Sequence, residues 1–249
     1  MGRMKRRLAV TRVGVDGGVD TRAGEVVVEE PLEVRAAGTT VVLTGRTPGH
    51  DVELAHGYLL AEGMIHGADD VVEARYCGGA VGGENSYNLL DVQLRGHLIS
   101  PIPAAACGIT AEQRVEDVLH RVLVRPQPQP VEPSEVFALA TEIEARRGKV
   151  PVASAGDVLR EDVGSTNAVA KVVGRLLLDG SVPTHTTLTL DSRVTFPVMR
   201  LAAAAGFAQV VTTSDATSLA VDLARGAGIA LIGEASETGF ALYSGSVAG

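Results

Sequence analysis

Thr186-Thr187-Leu188-Thr189-Leu190 opens the stretch, running to Ile232, that decides the fold. This β-rich run is followed by a helical pattern through Met199 and Leu201 that Gly206 closes. Ala208-Gln209-Val210-Val211-Thr212 repeats the strand signal, and a second helical pattern runs through Leu219, Val221 and Leu223. Ile229-Ala230-Leu231-Ile232 is the third strand. Strands alternating with helices of this length predict an α/β layer with parallel pairing. Upstream, Asp157-Val158-Leu159-Arg160 and a helix from about Thr166 to Asp179 extend the pattern; downstream, Phe240-Ala241-Leu242-Tyr243 is a short last strand.

The first half reads differently. Val26-Val27-Val28, Leu32-Glu33-Val34-Arg35 and Thr39 to Thr44 are strand material, with Ala37-Gly38 as a turn. A helix from about Asp51 carries Val52, Ala55, Leu59 and Leu60, started by Thr47-Pro48 and ended by Gly63. Val71 to Tyr76 and Tyr87 to Leu94 predict two strands around the glycine-rich turn Cys77 to Gly83. That turn lacks the G-x-x-x-x-G-K-[ST] order of a phosphate loop. An amphipathic helix follows, marked by Val115, Val118, Leu119 and Val122. The proline-rich residues 126–133 form an extended connector. It divides a β-rich portion, residues 1–125, from an α/β portion, residues 134–249, although the two can pack as one unit. Ser134 is expected to cap a helix through Ile143 that Gly148 closes.

The chain has 249 residues, enough for a sizeable core, and its net charge of −8 argues against a general nucleic-acid surface. Two cysteines, Cys77 and Cys107, make no disulfide framework. Met1 to Arg7 is basic without a following apolar core, so it reads as a disordered terminus rather than a signal peptide. No apolar run is long enough for a membrane span, and a reducing, cytoplasmic setting is expected. The six histidines form no Cys/His cluster of zinc spacing, so no metal site is expected.

Chemistry centres on Ala104-Ala105-Ala106-Cys107-Gly108-Ile109-Thr110. Pro101 and Pro103 precede it, and helix signals begin at Thr110-Ala111-Glu112-Gln113. Cys107 therefore sits on a small-residue loop near a helix N-terminus, where the positive end of the helix favours a nucleophilic thiolate. A buried cysteine used as a small hydrophobe is the alternative. In open α/β sheets ligands lie beyond the carboxyl ends of the strands. Three polar junctions fall there: Glu161 to Asn167, Asp191-Ser192-Arg193, and Thr213 to Ser218. Each residue can also be an ordinary helix cap. Convergence of the three on one edge would make an anion crevice, with Asn167, Ser214 and above all Arg193 as its binding groups.

Thr47 to Gly63, the Cys107-Gly108 loop, Arg160-Glu161-Asp162-Val163-Gly164 and Ser218-Leu219-Ala220-Val221, in this order, resemble the FdhD/NarQ family over about Glu29 to Gly245. The resemblance implies a cytidine-deaminase-like α/β/α sandwich with an N-terminal β-rich portion. It also implies an accessory sulfurtransferase for formate dehydrogenase. Such a protein takes persulfide sulfur from a cysteine desulfurase and passes it to the molybdenum bis(guanine dinucleotide) cofactor of a formate dehydrogenase-type molybdoenzyme. A homodimer is implied as well. By this resemblance Cys107 is the catalytic persulfide carrier, and Glu234, Ala235, Ser236, Glu237, Thr238 and Gly239 form the loop that contacts the cofactor, for which GDP is a probe. Deaminase chemistry is excluded, since its Cys-x-x-Cys and His-x-Glu ligands are missing.

The chain departs from the family pattern at several points. Thr110 stands where the family's Cys-Gly-x-Cys loop has its second cysteine. Ser165-Thr166 replace an Arg-His pair, and the Gly-Gly-x-His-Ala-Ala segment is missing around Val150 to Gly156. Two acids, Glu234 and Glu237, occupy a loop that is usually basic and should repel a pyrophosphate. The alternative reading is therefore a divergent, non-catalytic paralogue that acts as a binding or regulatory protein.

Overall fold

The computed structural model describes residues 5–77, 80–81, 84–85, 87–96, 110–122, 125–126 and 129–248. Cys107 and the loop around it lie outside the described residues. The first half contains β1 (Lys5–Val13), β2 (Val19–Val27), β3 (Glu30–Ala36), β4 (Thr39–Arg46), α1 (Asp51–Ala61), β5 (Val71–Tyr76), β6 (Ala80–Val81), β7 (Glu84–Asn85), β8 (Leu89–Leu94) and α2 (Ala111–Leu119). The second contains α3 (Pro133–Ala145), β9 (Val152–Ala155), β10 (Val158–Glu161), α4 (Ser165–Leu178), β11 (Thr187–Leu190), α5 (Phe196–Ala205), β12 (Gln209–Thr212), α6 (Ser218–Ala227), β13 (Ala230–Gly233) and β14 (Ala241–Ser244).

The second half is the α/β layer that its alternating pattern predicts. Six strands run in the order β10-β9-β11-β12-β13-β14. The pairings β11–β12 and β12–β13 are parallel, as expected, while β9, β10 and β14 join by antiparallel pairing. The departure has a local cause. Gly156 at φ 55° closes a two-residue turn between Ala155 and Val158, and strands joined so tightly can only be antiparallel. β9 escapes a sequence reading because it is four small residues, Val-Ala-Ser-Ala, with little β signal.

Helix α3 covers one face of this sheet: Val136 and Ala140 pack with Val211, Ala230 and Ile232. Helices α4, α5 and α6 cover the other, which makes an α/β/α sandwich. The larger core runs on through α1 to Leu32, Val34, Ala36, Leu90 and Val92 of a four-stranded sheet, β4-β3-β8-β5. Residues on both sides of the proline-rich connector thus share one core.

Helix α1 lies at the middle of that core, and it departs from a one-sided amphipathic pattern. Asp51, Glu53, Leu54, Ala55, His56, Gly57, Leu59 and Ala61 are all buried, while Val52 faces out. A helix enclosed almost all round must satisfy its polar groups internally. Arg46, 1 % exposed, forks onto Asp51 at 2.9–3.2 Å. Arg160 forks onto Glu53 at 2.6 and 2.7 Å, and Arg200 pairs with Glu62.

The helix starts at His50, in the left-handed region at φ 60° and without a side-chain cap, rather than at Thr47-Pro48. Gly57 and Gly174 let it approach α4 so closely that a Cβ on either would strike backbone of the other helix. Two further corrections are local. Glu132 with Pro133, not Ser134, begins α3, which ends at Arg146 before Gly148. Lys5 to Arg7, expected to be disordered, belong to β1.

His56 and Glu53 make stability sensitive to acid. Burial holds the His56 imidazole below its ordinary 6.5, with Nδ1 at 2.7 Å from the Val52 carbonyl oxygen. Burial by itself would raise the Glu53 carboxyl, but Arg160 and His50 outweigh it and hold it below its ordinary value. Both unfolded-state groups bind protons more readily than the folded ones, so stability falls as pH falls. The His56 contribution starts to go at 6.5 and that of Glu53 below 4.5. A melting curve taken against pH should show the first loss in the wild type and not in His56→Gln.

The β3–β4 turn behaves as predicted. Ala37 and Gly38 have φ 47° and 78°, the two left-handed residues of a tight hairpin, with Ala36 opposite Thr39. Alanine is strained there. Ala37→Asn is expected to add about 1 kcal/mol, read as a raised denaturation midpoint; no gain would contradict the turn.

Candidate functional site

The sandwich brings the junctions of interest to one edge. β10 is antiparallel to β9 and β9 to β11, so β10 to β13 all present their carboxyl ends on the same side. The three junctions therefore lie along one edge of the sheet, but they divide in use.

The first turns inward. Asp162 is fully buried; its Oδ2 accepts from the Thr47 amide at 3.1 Å and from Lys171 Nζ at 2.6 Å. Its Oδ1 accepts from the Gly164 amide and from Asn167. Asn167, 2 % exposed, also donates to the Gly45 carbonyl oxygen at 2.8 Å and accepts the Tyr58 hydroxyl at 2.7 Å. The Asn167 amide is thus spent on fixing the segment that precedes α1, and it faces the interior rather than a crevice.

The second and third junctions meet. Arg193 forks onto Asp215, and its guanidinium holds that carboxyl below the usual range. Thr212 Oγ1 donates to the Ser192 carbonyl oxygen and accepts from the Ser214 amide. The Ser214 carbonyl oxygen in turn accepts from the Glu234 amide, which ties the late loop to the same place. Capping does not explain these polar residues. The N-caps of α5 and α6 are Thr195 and Thr217, and neither makes a side-chain cap. The first turns of both helices thus lack a side-chain cap, and that of α5 has one amide fewer, at Pro197.

In the late loop, Glu234 sits at φ 52° and its carboxylate accepts the Tyr243 hydroxyl at 2.9 Å. Ser236 Oγ donates to the Gly239 carbonyl oxygen, and the Thr238 amide donates back to Ser236 Oγ. Glu234, Ser236, Glu237 and Thr238 are exposed and Gly239 is half-buried, whereas Ala235 points into the core beneath α3. Arg147 is a basic group that sequence reasoning missed. From the end of α3 it reaches the Asp191 carbonyl oxygen at 3.4 Å and Thr213 Oγ1 at 3.5 Å. Nothing in the sequence next to it signals this, because the contact spans two strand–helix junctions.

Downstream of the Cys107 loop, Thr110 is the N-cap of α2. Its Oγ1 accepts from the Gln113 amide at 3.2 Å, and Gln113 Oε1 accepts from the Thr110 amide at 2.9 Å. This reciprocal capping is something a hydroxyl performs better than a thiol. The threonine in place of a second cysteine therefore has a structural use. Cys77 is an exposed free thiol at the end of β5. A cleft of about 940 Å³ lies apart from this edge, between the β1–β2 hairpin and the start of α1, lined by Arg6, Leu8, Pro48, Tyr76 and Tyr87 among others. Among the described residues no three Asp, Glu, His or Cys side chains could hold a metal ion, and no helix is long and apolar enough to cross a membrane.

The architecture matches a crystal structure of a putative formate dehydrogenase accessory protein from Desulfotalea psychrophila. The TM-score is 0.77 with 97 % of each chain covered, at 18 % sequence identity. In sequence, the chain is 38 % identical to a sulfur carrier protein FdhD from Corynebacterium efficiens, over 99 % of this chain and 100 % of that one. It is 36 % identical to its namesake from Nocardia farcinica, over 98 % and 95 %. Residues 27–248 fit the sequence model of the FdhD/NarQ family. A match of that length, with relatives this similar from end to end, means that the chain belongs to the FdhD/NarQ family.

Proposed function

We propose that this protein is a sulfur carrier in formate dehydrogenase maturation, with Cys107 as the residue that holds the sulfur. The observation that carries this reading is the end-to-end similarity to proteins named sulfur carriers; in this sequence Cys107-Gly108 lies just ahead of Thr110, the α2 N-cap. The chemistry is thiolate exchange. The Cys107 thiolate attacks the terminal sulfur of a persulfide on a cysteine desulfurase. A new sulfur–sulfur bond forms, the old one breaks, and the desulfurase cysteine leaves as a thiolate. The sulfur is then carried to the molybdenum bis(guanine dinucleotide) of a formate dehydrogenase-type enzyme, as substrate of the transfer.

The edge formed by Ser192, Ser214 and the late loop is the place we assign to the guanine-dinucleotide part. The uncapped first turn of α6 and the hydroxyls of Ser214, Ser236 and Thr238 supply donors there. Arg193 and Arg147 supply positive charge, although Asp215 pairs with the first and Glu144 with the second.

Incubation with a cysteine desulfurase and cysteine should add the mass of one sulfur atom to the intact protein. Cys107→Ala should abolish that gain and Cys77→Ser should leave it unchanged. Equal uptake by wild type and Cys107→Ala would sink the assignment. The reading as a non-catalytic binding protein is favoured by the interior position of Asn167 and by the acids Glu234 and Glu237. It predicts no mass gain and no GDP binding, whereas the carrier predicts both.

A further inference from the structure

Resting on the nucleotide edge proposed above, we infer that Glu234 reads the base. Its carboxylate accepts from N1–H and from the exocyclic amine of guanine, and Tyr243 is the positioning residue that holds it ready.

Glu234 is fixed in backbone and side chain. Its amide donates to the Ser214 carbonyl oxygen, it stands in the left-handed region at φ 52°, and its Oε1 accepts the Tyr243 hydroxyl at 2.9 Å. Tyr243 is itself braced. Its carbonyl oxygen accepts from Arg225 Nε and Nη2 at 3.2 and 3.0 Å. Its ring lies against Gly233, where a Cβ would stand 2.5 Å from Cε2 and 3.1 Å from the Ser214 carbonyl oxygen. A side chain at that position would displace one or the other. Burial, with Glu234 and Asp215 nearby, pushes the Tyr243 hydroxyl above its ordinary 10, so it stays a donor. Glu237, further along the loop, has no such hold among the described residues. A carboxylate oriented before the ligand arrives loses less freedom on binding it.

Charge decides which end of the nucleotide meets this acid. Glu234 forms no ion pair among the described residues, whereas Asp215 on the same edge has Arg193. A carboxylate without a counter-ion repels a diphosphate, so the phosphates belong with the uncapped first turn of α6 and the Ser214 hydroxyl. A carboxylate only accepts, and what it binds best is a pair of N–H groups. Guanine presents such a pair, at N1 and at its 2-amino group, as a fork matched to the two carboxylate oxygens. Adenine has a bare N1 there and cytosine a bare N3, lone pairs that face the carboxylate with like sign. An acid in a loop that is usually basic thus gives the loop a means to choose its base.

The test is equilibrium binding of the full-length chain to GDP, IDP, ADP and XDP, which differ at the base alone. The wild type should hold GDP at least about tenfold tighter than ADP and than IDP, which lacks the 2-amino group. Glu234→Gln keeps one acceptor and sets an amide beside it, which suits the 2-oxo group of xanthine. The order should then reverse, with XDP bound at least about tenfold tighter than GDP. Tyr243→Phe keeps the carboxylate but releases it, and the preference for GDP over IDP should fall about threefold. A Glu234→Gln protein that weakens all four nucleotides alike, as a structural role would, overturns the proposal. So does a wild type that binds GDP without preference for its base. A wild type that binds none of the four overturns the nucleotide edge itself, and the base reader with it.

Discussion

Gly174→Ala should leave little folded protein. A Cβ at this position would lie 1.7 Å from the Glu53 carbonyl oxygen and 2.6 Å from its carbon, so the obstacle is backbone rather than a side chain that can swing away. The mirror contact is as tight, since a Cβ on Gly57 would lie 2.2 Å from the Ala170 carbonyl oxygen. The two helices cannot simply separate to make room. Glu53 is held by Arg160, and Lys171 on α4 is held by Asp162 and by the Thr47 carbonyl oxygen just before α1. Overpacking a core that can relax costs about 1–3 kcal/mol, and here relaxation is blocked, so the loss should exceed about 3 kcal/mol. Gly67→Ala, with open space around it, is the control and should stay within about 0.5 kcal/mol of wild type. Denaturant titration of the pair decides the matter; a Gly174→Ala protein as stable as the control would mean that α1 and α4 do not meet this way.

The second large effect is expected at Lys171. Its side chain is 1 % exposed, and its ammonium sits 2.6 Å from a fully buried Asp162 carboxylate. Lys171→Ala leaves that carboxylate in the interior without its counter-ion, which typically costs about 3–5 kcal/mol. Lys171→Met together with Asp162→Asn removes both charges and should recover part of the loss. Recovery should be incomplete, because Asp162 also accepts from the amides of Thr47 and Gly164, and an asparagine in its place has one acceptor oxygen instead of two. Stability measurements on the single and double variants form a cycle that isolates the pair. A harmless Lys171→Ala would show that water reaches this site.

These two sites show what the sequence does and does not disclose. Strand–helix alternation after Asp157 was legible, because period and punctuation are local properties. The side chains that carry the family resemblance are visible as letters, yet their use is not. Arg160, Asp162 and Asn167 look like an active-site motif next to a strand end, and in the fold they fasten α4 and the sheet to α1 and the segment before it. Their partners, Glu53, Thr47 and Gly45, lie more than a hundred residues away, beyond the reach of any spacing rule. The two acids of the late loop, Glu234 and Glu237, are visible as letters, and the fold adds that both are exposed. Arg147 could not be found, since only the packing of α3 brings it over Asp191 and Thr213.

The same long reach bears on how the protein is made. Glu53 of helix α1 receives its Arg160 fork from 107 residues later, and the Thr47 carbonyl meets Lys171 only after 124. At ribosomal speeds of about 5–20 residues per second, the helix waits on the order of ten seconds for its counter-charges. During that interval its leucines and its Glu53 carboxylate, still without the Arg160 fork, face water or a chaperone together. Slow, late closure around a central segment should make yield from cells sensitive to translation rate and holdase supply more than to the stability of the finished protein.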